Sequence, residues 1–352
     1  MTLTRKAAIG VATAVVLLGL LVFLVGARST VQALWQTGWP AFATVGATLF
    51  GLMACQAAAW SRLEREAGDR IGYWTLLAST IVAMAGNVVL PSAHLGGEPA
   101  KILYAGKRAG VAYTRVAGIV LLCKYLEAMS FVAFLAFAAA ATLGGLRGVL
   151  LGPRHWPFGV GIIIMTALAI VMCGIMWLAL ARRWTPLAAL VGACGRLGIG
   201  RAFFMSLRQR SVRMELGASR VFREERRAVA PAFVWYVFTH AALFVRPGLF
   251  FWFGWGTRLN LAELSLLFVA GQLMLMVQFM PSGIGTLDGG TISVVALAGM
   301  AVTVPQVTAF LLCVRFWDAL VVLLGMALAG RMGIGLFRAV GQSSGAPLPA
   351  KR

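Results

Sequence analysis

The chain has 352 residues, 60% hydrophobic and 12% charged, with a mean hydropathy of +0.87. Apolar runs of about 20 residues exclude a soluble globule, and also a transmembrane β-barrel, whose strands alternate over ~10 residues; they imply helices crossing a ~30 Å hydrocarbon core. The formal charge of +20 would suit nucleic acid, but the basic residues cluster between apolar runs, a distribution that orients a membrane protein and excludes a nucleic-acid partner.

Arg5 and Lys6 precede an apolar run over about 7–25, longer than the roughly 7–15 residues of a signal-peptide core, so it reads as the first span. A second span covers roughly 41–60, and 62–70 carries charges of both signs. An apolar stretch at 71–90 runs into Leu90-Pro-Ser-Ala-His-Leu-Gly-Gly-Glu98, followed by Lys101, Lys107, Arg108 and Arg115. Apolar helices are expected at about 116–143 and 160–181. Residues 182–228 form a basic amphipathic segment, with eleven arginines against Glu215, Glu224 and Glu225, and Phe203, Phe204, Met205, Leu207 and Val212 interleaved. That composition suits a cytoplasmic helix lying on anionic lipid head groups, with an ordinary positive-inside loop as the competing reading. Spans resume at about 229–253 and 261–280. Then come Met280-Pro-Ser-Gly-Ile-Gly-Thr-Leu-Asp288, an apolar stretch to 304 and a last span over 306–328. The expectation is one integral membrane domain over 1–338 and a disordered tail over 339–352.

The two Pro-Ser motifs repeat one another. Pro91 and Pro281, Ser92 and Ser282, and Glu98 and Asp288 are each 190 positions apart, and Lys124/Glu127 recur as Arg315/Asp318 at 191. A basic residue with an acid three positions on shares one helix face in both copies. Repeats centred on 90–127 and 280–318 follow, although chance matching competes, since the flanking apolar residues align poorly. Charge then constrains topology. The arginines of 182–227 and the N-terminus belong in the cytoplasm, which requires 72–98 to dip in from that side and return. With 262–302 dipping from the opposite side, all 31 Lys and Arg lie inside except Arg28, Arg147, Arg154 and Arg258 outside and Lys124, Arg246 and Arg315 within spans. The expected fold is all-α and polytopic: about six full spans plus two re-entrant helical hairpins in an inverted repeat, both termini cytoplasmic. Eight full spans is the competing count.

Glu98, Lys124, Glu127, Arg246, Asp288, Arg315 and Asp318 fall within apolar regions. At roughly 2.5–3.5 kcal/mol for each charge at a helix centre, they must pair or face water. Three cations against four carboxylates leave one acid over, for a proton or a substrate cation. Glu98 and Asp288 are then gates at the hairpin tips, with Lys124 and Arg315 as their partners or as sites for a phosphate. Pro91, Ser92, Gly96, Gly97, Pro281, Ser282, Gly283 and Gly285 break the helices and free backbone groups for a head group. Charges that only staple helices together are the structural alternative. No catalytic constellation or nucleotide loop is present, and no metal ligands or cofactor site; Cys55, Cys123, Cys173, Cys194 and Cys313 show no paired spacing. His94, inside the first motif, reads as a structural residue.

Leu90-Pro-x5-Glu98 with Gly97 before the acid, and Pro281-Ser-Gly-Ile-Gly-x-x-Asp288, make the chain resemble the flippase-like family, also called the lysylphosphatidylglycerol synthase transmembrane region, over roughly 5–335. Pro91, Gly97, Glu98, Pro281, Gly283, Gly285 and Arg315 match the family's pattern. Ser282 replaces a commoner Gly and Asp288 a commoner Glu. The Leu-Gly-Gly-Glu form is most similar to the hopanoid-associated branch. The resemblance implies re-entrant motif helices and a bacterial inner-membrane lipid transporter or flippase for a phospholipid, hopanoid or lipid-linked cargo, working through a midplane polar cavity. With no catalytic constellation or nucleotide loop in the sequence, no enzyme activity and no ATP hydrolysis of its own are expected. The alternatives are an accessory membrane subunit of a lipid-biosynthesis system and, further off, a membrane-embedded transferase. A homo-oligomer and lipid-biosynthesis enzymes are the protein partners this reading admits.

Overall fold

The structure, a computed structural model, describes residues 27–66, 68, 71–89, 96–150, 152, 156–196, 201–276 and 286–332. The expected first span at 7–25 lies outside them, as do Pro91, Ser92, His94, Pro281, Ser282, Gly283, Gly285 and the tail. The described residues form eleven helices and no strand: α1 Ala27–Glu66, α2 Tyr73–Val89, α3 Glu98–Ala109, α4 Tyr113–Leu150, α5 Trp156–Arg182, α6 Pro186–Arg196, α7 Arg201–Glu224, α8 Arg226–Trp255, α9 Leu261–Met276, α10 Thr286–Ala298 and α11 Val304–Arg331. Helices are what an apolar chain must form in lipid, because every backbone N–H and C=O is then satisfied within its own segment. Stretches 30–66, 113–146, 156–182, 227–255 and 304–331 are long and apolar enough to cross a membrane. They contain the five other spans expected from the sequence.

Two short helices separate the long ones in each half. α1, α2, α3 and α4 run long, short, short, long, and α8, α9, α10 and α11 repeat that order. α2 and α9 have 17 and 16 residues, about 26 and 24 Å at 1.5 Å per residue, and α3 and α10 have 12 and 13, about 18 and 20 Å. The two short helices of each half pack against each other. α1 bends at Gly38, whose φ of 69° is freely open only to glycine, and Pro40 then starts the straight part.

The halves interlock. α1 packs along α8, α2 of the first half packs on α11 of the second, and α9 of the second packs on α4 of the first. Small residues permit the approach: a Cβ added at Gly325 of α11 would collide with Ala85 of α2, and one at Gly145 of α4 with Ala262 of α9. One apolar core joins Ala57, Trp60 and Leu63 of α1 to Val120, Leu122 and Leu126 of α4 and Ala232 and Tyr236 of α8. A second joins Val45 of α1, Phe250 and Phe251 of α8, Val295 of α10 and Val307 of α11. α5 is peripheral, with a narrow buried stripe of Gly159, Ile162, Thr166 and Ala169.

The basic segment is helical and docked. Ala218 and Ser219 of α7 are buried, and the Ser219 hydroxyl donates to the Leu180 carbonyl of α5 at 2.7 Å. Glu215 receives the amides of Leu187 and Ala188, at 2.8 and 3.0 Å, and so caps the N-terminus of α6. Burial pushes the Glu215 carboxyl above its ordinary range, against the three hydrogen bonds it accepts, the third from Tyr125. Arg208, Arg210, Arg213, Arg220, Arg223 and Arg227 stay exposed.

Candidate functional site

The first cluster forms where α3 meets α4. Gly97 lies so close to α2 that an added Cβ would overlap the Ala83 carbonyl, and its N–H donates to the Asn87 side chain at 2.8 Å. That bond and that approach fix where α3 starts, with Glu98 its first residue and Pro99 its second. Lys124 Nζ lies 2.8 Å from Glu98 Oε1 and 2.9 Å from Glu127 Oε2. Gln56 of α1 donates to the other Glu127 oxygen at 2.9 Å. Lys101, one turn after Glu98, approaches its Oε2 at 3.9 Å and lies 4.8 Å above the Trp60 ring. Trp60 in turn donates its indole N–H to buried Glu64 at 2.7 Å.

The second cluster repeats the arrangement. Asp288 sits in the first turn of α10, and Arg315 Nη2 donates to both of its oxygens at 2.9 and 3.1 Å. Arg315 Nη1 lies 3.6 Å from Asp318, one turn on. Buried Arg246 of α8 is a further electrostatic partner of Asp318. In both halves, then, an acid in the first turn of the second short helix and an acid on the next long helix share one cation.

The two differ in closure. Side-chain exposure is 13, 21 and 22% for Glu98, Lys124 and Glu127, but 0, 9 and 12% for Asp288, Arg315 and Asp318. α1 borders both clusters, through Gln56 on one side and through the Phe42 carbonyl, which accepts from the Trp317 indole at 3.0 Å, on the other.

Of the residues singled out from the sequence, Gly96, Gly97, Glu98, Lys124 and Glu127 come together in one cluster and Asp288, Arg315 and Asp318 in the other. Glu64 and Lys101, left out of the charges placed in apolar regions from the sequence, belong to the buried ones. Glu64 is buried in α1, and Lys101 lies in helix α3 with 4% exposure. The charge inventory therefore gains one cation and one carboxylate. Gln56, Trp60, Asn87, Ser130 and His240 also went unmarked. Buried His240 Nδ1 lies 3.0 Å from both the Tyr236 carbonyl and Ser130 Oγ, and because a carbonyl only accepts, that nitrogen carries the hydrogen. Asn87 beside a glycine-rich break was the one available signal, since such a side chain satisfies freed amides. Among the described residues no group of His, Cys, Asp and Glu is arranged to hold a metal ion.

Among the described residues, five apolar helices of spanning length interleaved with two pairs of short packed helices, each pair carrying an acid–cation–acid cluster, define a multi-pass α-helical membrane protein. Residues 7–329 match the family described as the lysylphosphatidylglycerol synthase TM region, and the chain belongs to that family. Comparison with curated proteins and with solved structures finds no match.

Proposed function

We propose that the protein is a non-enzymatic transporter that carries a polar lipid between the leaflets of a bacterial inner membrane. The observation that carries this reading is the duplicated cluster: Glu98–Lys124–Glu127 and Asp288–Arg315–Asp318, each spanning a hairpin arm and the following long helix. Two such clusters in apolar helices are costly unless they serve a polar pathway or hold the helices in register. Hairpin arms of about 18–26 Å fall short of a ~30 Å core, which supports re-entry over crossing. The short connections from α1 to α2 and from α3 to α4 support entry and exit of the first hairpin on one face, the cytoplasmic one, where the basic α7 lies against anionic head groups. The second hairpin then enters from the opposite face, giving the inverted repeat, with both termini cytoplasmic. Cargo is a phospholipid, a hopanoid or a lipid-linked molecule, moved by proton coupling or by scrambling.

Reconstitution into liposomes with fluorescent lipid, read by dithionite quenching of the outer leaflet, tests the proposal. Wild type should expose inner-leaflet lipid to the quencher, and Glu98→Gln and Asp288→Asn should slow this while remaining folded. The near-complete burial of Asp288 favours a second reading, an accessory subunit of a lipid-biosynthesis system whose charges only hold helices in place. If wild type moves no lipid and both substitutions unfold the protein, that reading replaces the first.

A further inference from the structure

The two clusters hold their hairpin acids differently. Arg315 Nη2 donates to both oxygens of Asp288 while Nη1 faces Asp318, so a rigid planar guanidinium engages both Asp288 oxygens at once. Glu98 is held through Oε1 alone by a lysine ammonium; its Oε2 is buried and has no hydrogen-bond donor among the described residues, with Lys101 at 3.9 Å. A single contact to a flexible lysine is the easier one to exchange. The cations it would leave behind, Lys101 and Lys124, stand on different helices and converge on the same point.

We infer that the Lys101–Lys124 pair is a binding site for the phosphate of an anionic lipid, and that the Glu98 carboxylate competes with that phosphate for the two lysines. The inference rests on the transport reading and deepens it. A phosphodiester carries one negative charge and accepting oxygens, so its exchange for Glu98 leaves the net charge of the cluster unchanged. Glu127 stays on Lys124 and Gln56, and Trp60 continues to orient Lys101. A zwitterionic head group brings its own ammonium beside two others, a like-charge repulsion at a half-buried site. The partial exposure of Lys124 and Glu127, against the closure of the Arg315 cluster, makes the first cluster the one that admits a ligand.

The test uses full-length protein in mixed micelles with equal phosphatidylglycerol and phosphatidylcholine, counting retained lipids by native mass spectrometry. Glu98→Gln frees both lysines and should raise the phosphatidylglycerol-to-phosphatidylcholine ratio at least fivefold over wild type. Glu98→Gln/Lys101→Gln should return it to the wild-type value or below. The exposed arginines of α7 are common to all variants and cancel in the comparison. Lys101→Arg keeps the charge over Trp60 and should keep the wild-type ratio, whereas Lys101→Gln should lower it. An unchanged ratio in Glu98→Gln overturns the inference, and so does an equal fall in Lys101→Arg and Lys101→Gln, which marks a packing effect. The transport reading fails separately: a ratio that responds as expected in a protein that moves no labelled lipid leaves the anion site standing without transport. Lipid movement with no change in ratio leaves transport standing without the site.

Discussion

Replacing Lys124 with Met keeps an apolar stem of similar length and removes the charge shared by Glu98 and Glu127. Their bound oxygens lie 2.8 and 2.9 Å from one nitrogen, so they are less than about 6 Å apart. At that separation and an effective dielectric constant of ~20, two carboxylates repel by about 3 kcal/mol. Loss of one partner from a buried pair costs about 3–5 kcal/mol in general, so the substitution should destabilise by that amount. Reversible unfolding in mixed micelles measures it. Glu98→Gln in the Lys124→Met background removes one of the repelling charges and should recover about 2–3 kcal/mol, giving a coupling energy far from zero in the double-mutant cycle. A Lys124→Met protein within about 1 kcal/mol of wild type, or a double variant no more stable than Lys124→Met alone, would show that the lysine does not balance the two acids.

Gly97→Ala should displace α3 from α2, because the added methyl overlaps the Ala83 carbonyl and the bond to Asn87 cannot survive the shift; a loss of about 3 kcal/mol or more, or failure to accumulate in the membrane, is the expected outcome. Gly325→Val should loosen α11 from α2 by about 1–3 kcal/mol through overpacking against Ala85, seen as a lower melting temperature in detergent. Glu215 gives a pH dependence. Its carboxyl binds a proton more tightly folded than unfolded, so wild type loses stability relative to Glu215→Gln as pH rises from the ordinary carboxylate value through the raised one. Melting temperatures of the two proteins between pH 4 and pH 7 should converge or cross in that direction, and parallel curves would contradict the raised value.

The long helices were legible because an apolar run of spanning length has few other fates, and α1, α4, α5, α8 and α11 each contain an expected span. Family membership was legible in two proline motifs with an acid at a fixed distance. The contacts of Lys124 with Glu127 and of Arg315 with Asp318 follow from their i, i+3 spacing. Helix α3 left no clear mark in the sequence, because Lys101, Lys107 and Arg108 interrupt any apolar run there. In the fold Lys101 lies over Trp60, and Lys107 reaches the Met332 carbonyl at the end of α11. Glu64 was hidden in the same way by its charged neighbours, although the Trp60 indole one turn earlier satisfies it. Gln56 and Asn87 carry no charge and left no mark in an apolar run. That α2 packs on α11 and α9 on α4 was illegible, because hydropathy gives each helix a lipid-compatible surface without saying which neighbour covers it.

The lodging of α2 against α11 bears on how the protein is made. During synthesis α2 enters the bilayer long before Gly325 leaves the ribosome, so α1 can pack on Ile81 early while the Ala85 face stays uncovered until α11 arrives. Biogenesis is therefore completed from the far end. A nascent chain arrested before α11 presents an unfinished first half to membrane proteases, and a fragment carrying α11, supplied separately, is the piece that could rescue it.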